Sequence, residues 1–296
     1  IIGLSWCKNR FEGRRVAIIS LTSIPPRFDL MGPTLETLLA QRGIEAVELS
    51  LPYQYNRFPD WDGAIPALPT GVTVFRSRVD YGPATKILCA VQRYRGQDIQ
   101  LLFCDDDRFY PPGWAAVLLA EAARHPDCAV ALAGWDIADL TDRALFAAPR
   151  HQRRARNRDL IYRLARIRQT LQGKGRVSLA QKPARRIIAK SGFADILEGY
   201  GGVVVRPDFF DDQAFDVPQQ AFHVDDIWLS GLLAKNRIGV WLAANQYEPK
   251  TTLADRQDAL YRHRVAEKGR SELDADAIAF LRQKWGIWGG TASAPR

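Results

Sequence analysis

An apolar run, Leu101-Leu102-Phe103-Cys104, passes directly into three carboxylates, Asp105-Asp106-Asp107. On an extended backbone successive side chains face opposite ways, which puts Asp105 and Asp107 on one side and Asp106 on the other. Two carboxylates converging on one point repel unless a cation lies between them. Hard oxygen ligands suit Mg²⁺ or Mn²⁺, ions that keep several waters and add phosphate oxygens from a substrate. The plainer alternative is a turn whose aspartates cap the next segment ahead of the Pro111-Pro112 break. A second acid pair, Asp225-Asp226, stands before Ile227-Trp228-Leu229 and opens a helical pattern, where acids stabilise the N-terminus whether or not they do chemistry. Upstream of it lies a glycine-rich stretch, Glu198-Gly199-Tyr200-Gly201-Gly202.

The elements that must position these residues alternate. Strands are predicted over Val16–Leu21, Ile44–Leu49, Val72–Phe75, Gln100–Cys104, Cys128–Ala133, Val203–Val205 and Ile238–Ala243. Helices are predicted over Leu35–Gln41, Ala84–Arg95, Trp114–Arg124, Asp225–Ala234 and around Asp274–Lys284, ahead of a Gly/Ala/Ser tail. This alternation predicts an α/β fold, a mostly parallel Rossmann-like sheet flanked by helices. In such sheets ligands gather at the carboxyl ends of the strands. That rule selects Thr22, Ser23 and Arg27 after the first strand, Asp80 through Lys86 after the third, and the aspartate triplet after the fourth.

The run Phe103-Cys104-Asp105-Asp106-Asp107-Arg108-Phe109-Tyr110-Pro111-Pro112-Gly113-Trp114 resembles the D-x-D segment of GT-A-fold glycosyltransferases, the family 2-like bacterial enzymes among them. The opening Ile18-Ile19-Ser20-Leu21-Thr22-Ser23-Ile24-Pro25-Pro26-Arg27, with the helix that follows it, is similar to the start of that family's nucleotide-sugar domain. The resemblance spans roughly residues 16–135 and 198–245. It implies Mn²⁺ or Mg²⁺ on Asp105 and Asp107 with Asp106 beside them, and a nucleoside diphosphate sugar as donor, a UDP-sugar first among them. Thr22, Ser23, Arg27 and Asp80 would line the nucleotide pocket, and Lys86 would meet the diphosphate. The Asp225-Asp226 pair looks like the family's acidic motif, with Asp226 as general base for an inverting transfer to a hydroxyl of a glycan or lipid-linked acceptor. Gly201, Gly202, His223 and Trp228 are then the expected acceptor contacts. Many relatives add a histidine metal ligand after the last core strand. Here His263 alone lies beyond Asp226, some twenty residues past that strand.

Of the 296 residues, 47% are hydrophobic, 10% aromatic and 25% charged, enough to bury a full core and to exclude disorder, collagen and a disulfide scaffold. Cys7, Cys89, Cys104 and Cys128 form no C-x-x-C pair, so neither zinc nor redox chemistry is suggested and a reducing, cytoplasmic setting is expected. No apolar stretch approaches a membrane span. The net charge of +8 is not spread over the chain: residues 150–190 hold fourteen basic residues against the single acid Asp159. That segment is +13, which leaves the remainder at −5. Within it Leu160, Ile161, Leu164, Ile167 and Leu171 fall at helical spacing among arginines, a basic amphipathic helix suited to an anionic membrane face at the inner side of the cell membrane or to an acidic acceptor, the plainer alternative being a solvated loop helix whose arginines pair with acids elsewhere. Nucleic acid is not expected, because few aromatic residues interleave.

The expected organisation is a single domain over 1–296, with a donor half at 16–135, a basic insertion at 139–195, an acceptor half at 196–250 and a helical extension at 251–296. Three rival readings stand beside it. A sugar-nucleotide nucleotidyltransferase would carry a glycine-rich signature after the first strand, which Thr22-Ser23-Ile24-Pro25-Pro26-Arg27 lacks. A haloacid-dehalogenase-like phosphatase would place its acids early in the chain. A non-catalytic basic adaptor would act through residues 150–190 alone.

Overall fold

The computed structural model describes residues 15–140, 148–155, 159–172, 183–257 and 269–289. His263, Cys7 and the C-terminal tail lie outside them. The first half runs β1 (Val16–Leu21), α1 (Gly32–Leu39), β2 (Ala46–Pro52), β3 (Val72–Ser77), α2 (Thr85–Arg93), β4 (Ile99–Phe103), β5 (Arg108–Phe109), α3 (Trp114–Arg124), β6 (Cys128–Ala131) and β7 (Gly134–Trp135). The second adds β8 (Gln152–Arg153), α4 (Leu160–Gln172), β9 (Ile188–Lys190), β10 (Gly192–Ala194), β11 (Ile196–Leu197), β12 (Val203–Val205), α5 (Asp225–Lys235), β13 (Gly239–Leu242), β14 (Lys250–Thr251) and α6 (Arg270–Trp285).

Eight strands form one sheet in the order β10-β13-β6-β12-β4-β1-β2-β3. The block β3-β2-β1-β4 is parallel throughout, as is β6 with β13. The mostly parallel α/β sheet is thus present, with two reversed strands. β12 runs antiparallel between β4 and β6, and β10 runs antiparallel at the edge beside β13. Because β12 comes from the second half of the chain and sits next to β4, it fastens the two halves into one sheet. β10 falls inside the range expected as an insertion, so the tail of that range belongs to the sheet.

Both faces are covered, and β4 shows why its run is apolar without alternation. Leu101 and Phe103 enter the core shared with α2, α5 and α6, while Leu102 and Cys104 enter the core beneath α1 and α3. Burial on both sides is what a parallel strand in a doubly covered sheet requires. The same packing corrects three acceptor expectations. Trp228 is fully buried, lies 5.3 Å from Trp285 between ring centroids and donates its indole N–H to the Ala214 carbonyl at 3.2 Å. It is a core residue of α5. Gly201 and Gly202 also face protein. The Gly201 carbonyl accepts from the Trp114 indole at 2.8 Å, and a Cβ at Gly201 would stand 2.8 Å from that of Ala133.

At Gly202 the backbone has φ +96°, and a Cβ would lie 2.2 Å from the Trp114 ring. Positive φ and overlap with a buried ring act together here. Gly202→Ala is expected to destabilise the fold by about 2–4 kcal/mol, read as a lower urea midpoint at unchanged slope.

Candidate active site

Side chains at the carboxyl ends of β1 and β4 and from the first turns of α2, α5 and α6 enclose a cavity of about 380 Å³. Its centre is Lys86, in the first turn of α2. The ammonium is only 4% exposed and is held between Asp105 Oδ1 at 2.6 Å and Asp225 Oδ2 at 2.8 Å. Burial alone would discharge a lysine, but Asp105, Asp225 and Asp226 hold its pKa well above the ordinary value. For Asp105, burial pushes upward and Lys86 more than reverses it, so its carboxyl ionises below the usual range. Lys86, expected at a diphosphate, stands in a clamp between the two acidic motifs.

The aspartate triplet does not keep strand alternation. Residues 106 and 107 form a turn, and Asp106 and Asp107 therefore meet the same guanidinium: Arg27 Nη1 lies 2.7 Å from Asp106 Oδ1 and 3.2 Å from Asp107 Oδ2. Asp106 is buried, also accepts from the Ser23 hydroxyl, and its carbonyl accepts from Thr34 at 2.9 Å. It lines the cavity but ties the β1 and β4 loops together. Ser23 and Arg27, expected at the nucleotide, serve the same tie, and Arg27 further donates to the Gln257 carbonyl at 2.9 Å. Thr22 lines the cavity while donating to the Ser50 carbonyl at 2.7 Å. Asp80 also lines it and accepts from the backbone N–H of Asn56 and Gly82, both at 2.8 Å.

On the opposite wall, neither acid of α5 caps its own helix, since the N-cap position is Val224 and makes no side-chain bond. Asp225 turns to Lys86, and Asp226 Oδ1 accepts the Gly199 N–H at 2.9 Å. Arg270 stands 3.8 Å from Asp226 Oδ2. Burial, then repulsion from Asp225, pushes the Asp226 carboxyl up to about 8 against the pull of Lys86 and Arg270. Asp107 is raised to about 7 by burial and by Asp105 and Asp106. His223 lines the cavity, as does Trp135. Gly199 is the glycine of the loop that matters most here, because a Cβ on it would meet Lys86 Nζ at 2.6 Å.

Several participants fall outside the residues expected from the sequence. Tyr110, buried, accepts the Asp105 N–H at 3.0 Å and donates toward the Tyr200 carbonyl at 3.3 Å, fixing the strand end. Arg108 lies 3.1 Å from Asp107 and 4.9 Å from the Tyr200 ring centre. Arg270 arrives from α6, forty-odd residues beyond the acid it approaches. The Pro111-Pro112 break and the D-x-D spacing could have flagged Arg108 and Tyr110 as neighbours of the site. Nothing local flags Arg270.

Nine carboxylates line the cavity (Asp80, Asp105, Asp106, Asp107, Glu198, Asp225, Asp226, Asp255 and Asp274) against five cations (Arg27, Arg57, Lys86, Arg108 and Arg270). Such an excess repels a diphosphate unless a cation accompanies it. Asp107 Oδ1 is buried and receives no hydrogen bond. Its nearest cation is Arg108 Nε at 3.1 Å, and the oxygen-rich lining is of the kind that hard divalent cations take. Among the described residues no group of three or more His, Cys, Asp and Glu side chains forms a ready-made metal cage, so such an ion would take its other ligands from water and phosphate.

No protein-family model matches the sequence, and no characterised protein matches it. Among solved structures, GalNAc-T7 with UDP, GalNAc and Mn²⁺ superposes with a TM-score of 0.43 at 10% identity, over 79% of this chain and 43% of that one. The chain thus spans under half of that protein's length. A 4-diphosphocytidyl-2C-methyl-D-erythritol synthase gives 0.41 at 10% identity over 83% and 96% of the two chains. A mycobacterial protein gives 0.42 at 13% over 93% and 76%. Likeness of this degree carries no functional argument.

The raised Asp226 carboxyl has a consequence for stability. Between its ordinary value near 3.8 and its folded value of about 8, the folded chain holds a proton that the unfolded chain has released. Its contribution to stability therefore falls as pH rises through that window. Asp226→Asn keeps an acceptor for the Gly199 N–H and removes the buried charge. It is expected to raise stability at neutral pH by roughly 1–3 kcal/mol and to flatten this part of the pH dependence, as measured by denaturant melts across the range.

Proposed function

We propose that the chain is a GT-A-type, metal-dependent glycosyltransferase that moves a sugar from a nucleoside diphosphate, UDP first among candidates, to a hydroxyl of a glycan or lipid-linked acceptor with inversion. The observation that carries this reading is the meeting of two acidic motifs across one cavity. The triplet at the end of β4 and the pair at the start of α5 are clamped by one buried ammonium, with Asp226 beside it. A turn-capping role for the triplet or a helix-capping role for the pair would not bring them together.

In this reading Asp226 is the general base. It accepts the proton of the acceptor hydroxyl as that oxygen bonds to the anomeric carbon, and the bond from that carbon to the phosphate oxygen breaks with its electron pair leaving on the nucleoside diphosphate. The Gly199 N–H orients Oδ1. Arg270 near Oδ2 favours the ionised form that must begin the reaction. Lys86 ties Asp105 to Asp225, the neighbour of Asp226, and so links the base to the donor side. A Mg²⁺ or Mn²⁺ on Asp105 and Asp107 would stabilise charge gathering on the departing phosphate. Thr22, Asp80, Arg57 and Phe58 line the same cavity and would face the nucleotide, while His223 and Trp135 would face the acceptor.

A thermal-shift screen of nucleoside diphosphates and their sugars, with and without Mn²⁺, tests the donor. One nucleotide should stabilise the protein in a metal-dependent way, by RT ln(1 + [L]/Kd), and Asp105→Ala should abolish the shift. No stabilisation by any nucleotide would remove the donor site from the reading. Once the donor is known, Asp226→Asn should lower kcat by about 10²–10⁴ with the nucleotide shift intact. In the wild type kcat/KM should climb with pH up to about 8 as Asp226 ionises, a rise missing from the variant's residual rate.

A further inference from the structure

Among the described residues the basic segment contributes none to the cavity lining, and its helix is mounted in an unusual way. α4 is 13 residues, about 20 Å long at 1.5 Å per residue. Its only fully buried residue is Tyr162. Asp159 accepts the Tyr162 N–H at 3.1 Å, and Arg185 lies 3.6 Å from Asp159 and 5.4 Å from the Tyr162 ring centre. Ala165, Arg166 and Gln169, on the same side as Tyr162, are half-buried. That side is the one α4 turns to the protein.

The apolar residues face the other way. At about 100° per residue, Leu160, Leu164, Ile167 and Leu171 share an arc of roughly 60° centred opposite Tyr162. They are 67%, 67%, 56% and 76% exposed, and Ile161 beside them is 61% exposed. Arg163 and Arg168 sit about 40° to either side of this stripe, and both are exposed. An amphipathic helix normally buries its apolar stripe against the core. Here the polar side with one tyrosine is buried and the stripe is offered outward, bordered by cations.

We infer that α4 is a docking helix for an anionic lipid surface, which it enters along the Leu160–Leu171 stripe with Arg163 and Arg168 at headgroup level. The occupant follows from charge and shape together. A local +13 attracts phosphate-bearing headgroups, and an apolar stripe between arginines matches the depth profile of a bilayer interface. Nucleic acid would use the arginines but leave the leucines in water. A second copy of α4 would cover the leucines but bring Arg163 and Arg168 against their own counterparts. No helix among the described residues is long and apolar enough to cross a membrane, so the contact is interfacial.

The experiment is co-sedimentation of the full chain with phosphatidylcholine vesicles, with and without phosphatidylserine, at low and high salt. Binding is expected only with phosphatidylserine and should weaken as salt rises. Leu164→Ser combined with Ile167→Ser should lower partitioning at least about tenfold, and Arg168→Gln alone about fivefold. These positions are exposed, so melting temperatures should match the wild type. Absence of binding to anionic vesicles, or binding that survives the Leu164/Ile167 double variant, overturns the inference. So does a dimer in sedimentation velocity that the double variant abolishes while vesicles are ignored, which would assign the stripe to self-association.

Discussion

One buried ammonium organises the site. Four carboxylates, Asp105, Asp107, Asp225 and Asp226, converge on one cavity from two sides, and without compensation they would repel each other and oppose the fold that assembles them. Lys86 answers two of them directly at 2.6 and 2.8 Å. What surrounds it follows from that need. Its position in the first turn of α2 aims the side chain past the end of β4, and Gly199 leaves room where a Cβ would fall 2.6 Å from Nζ. The first turn of α5 must then arrive within reach, which the buried Trp228 and the α6 packing secure. Removing the ammonium would leave buried charge unanswered on two separate elements.

The remaining acids are answered from further away and less completely. Arg27 serves Asp106 and Asp107 from the β1 loop, Arg108 serves Asp107 from the next residue, and Arg270 reaches toward Asp226 from α6. The result is a graded wall, with Asp105 ionised readily and Asp107 and Asp226 held toward their protonated forms. A fold selected for stability alone would neutralise Asp226 or replace it. Retaining a carboxylate whose charge costs stability is consistent with a chemical duty at that position.

The sheet and the coarse location of the site were legible because each depends on patterns only a few residues long. β4 reads as a doubly buried strand from Leu101 to Cys104, and the acids that follow it stand where strand-end ligands gather. The facing of individual side chains was less legible. Strand alternation turns Asp106 away from Asp105 and Asp107, and the turn at residues 106 and 107 cancels that alternation. Gly201 and Gly202 belong to a glycine-rich loop, but only Gly199 in it meets the site, because Trp114 and Ala133 fill the space beside the other two. Arg270 and Tyr110 act through contacts set by the tertiary fold. The apolar positions of α4 were visible as a helical period, yet a period does not say which side of a helix meets the protein. Tyr162 decides that.

The β7–β11 ladder gives the basic segment a distinctive mechanical setting. Gly134 and Trp135 pair with Leu197 and Ile196 in a two-stranded ladder outside the main sheet, so the chain that departs after β7 comes back beside its own point of departure just after β10. A long excursion closed by such a clasp can gain, lose or exchange residues while the strands on either side stay in register. The clasp also ends directly at Glu198 and Gly199, the start of the loop that carries the hydrogen bond to Asp226. Arg185, which braces α4, accepts the Glu248 N–H on its carbonyl, and Glu248 in turn holds the Tyr200 hydroxyl at 3.0 Å. Whatever α4 rests on is therefore anchored to the same short loop from both sides. The support of α4 and the loop beside Asp226 therefore share one hydrogen-bonded seam.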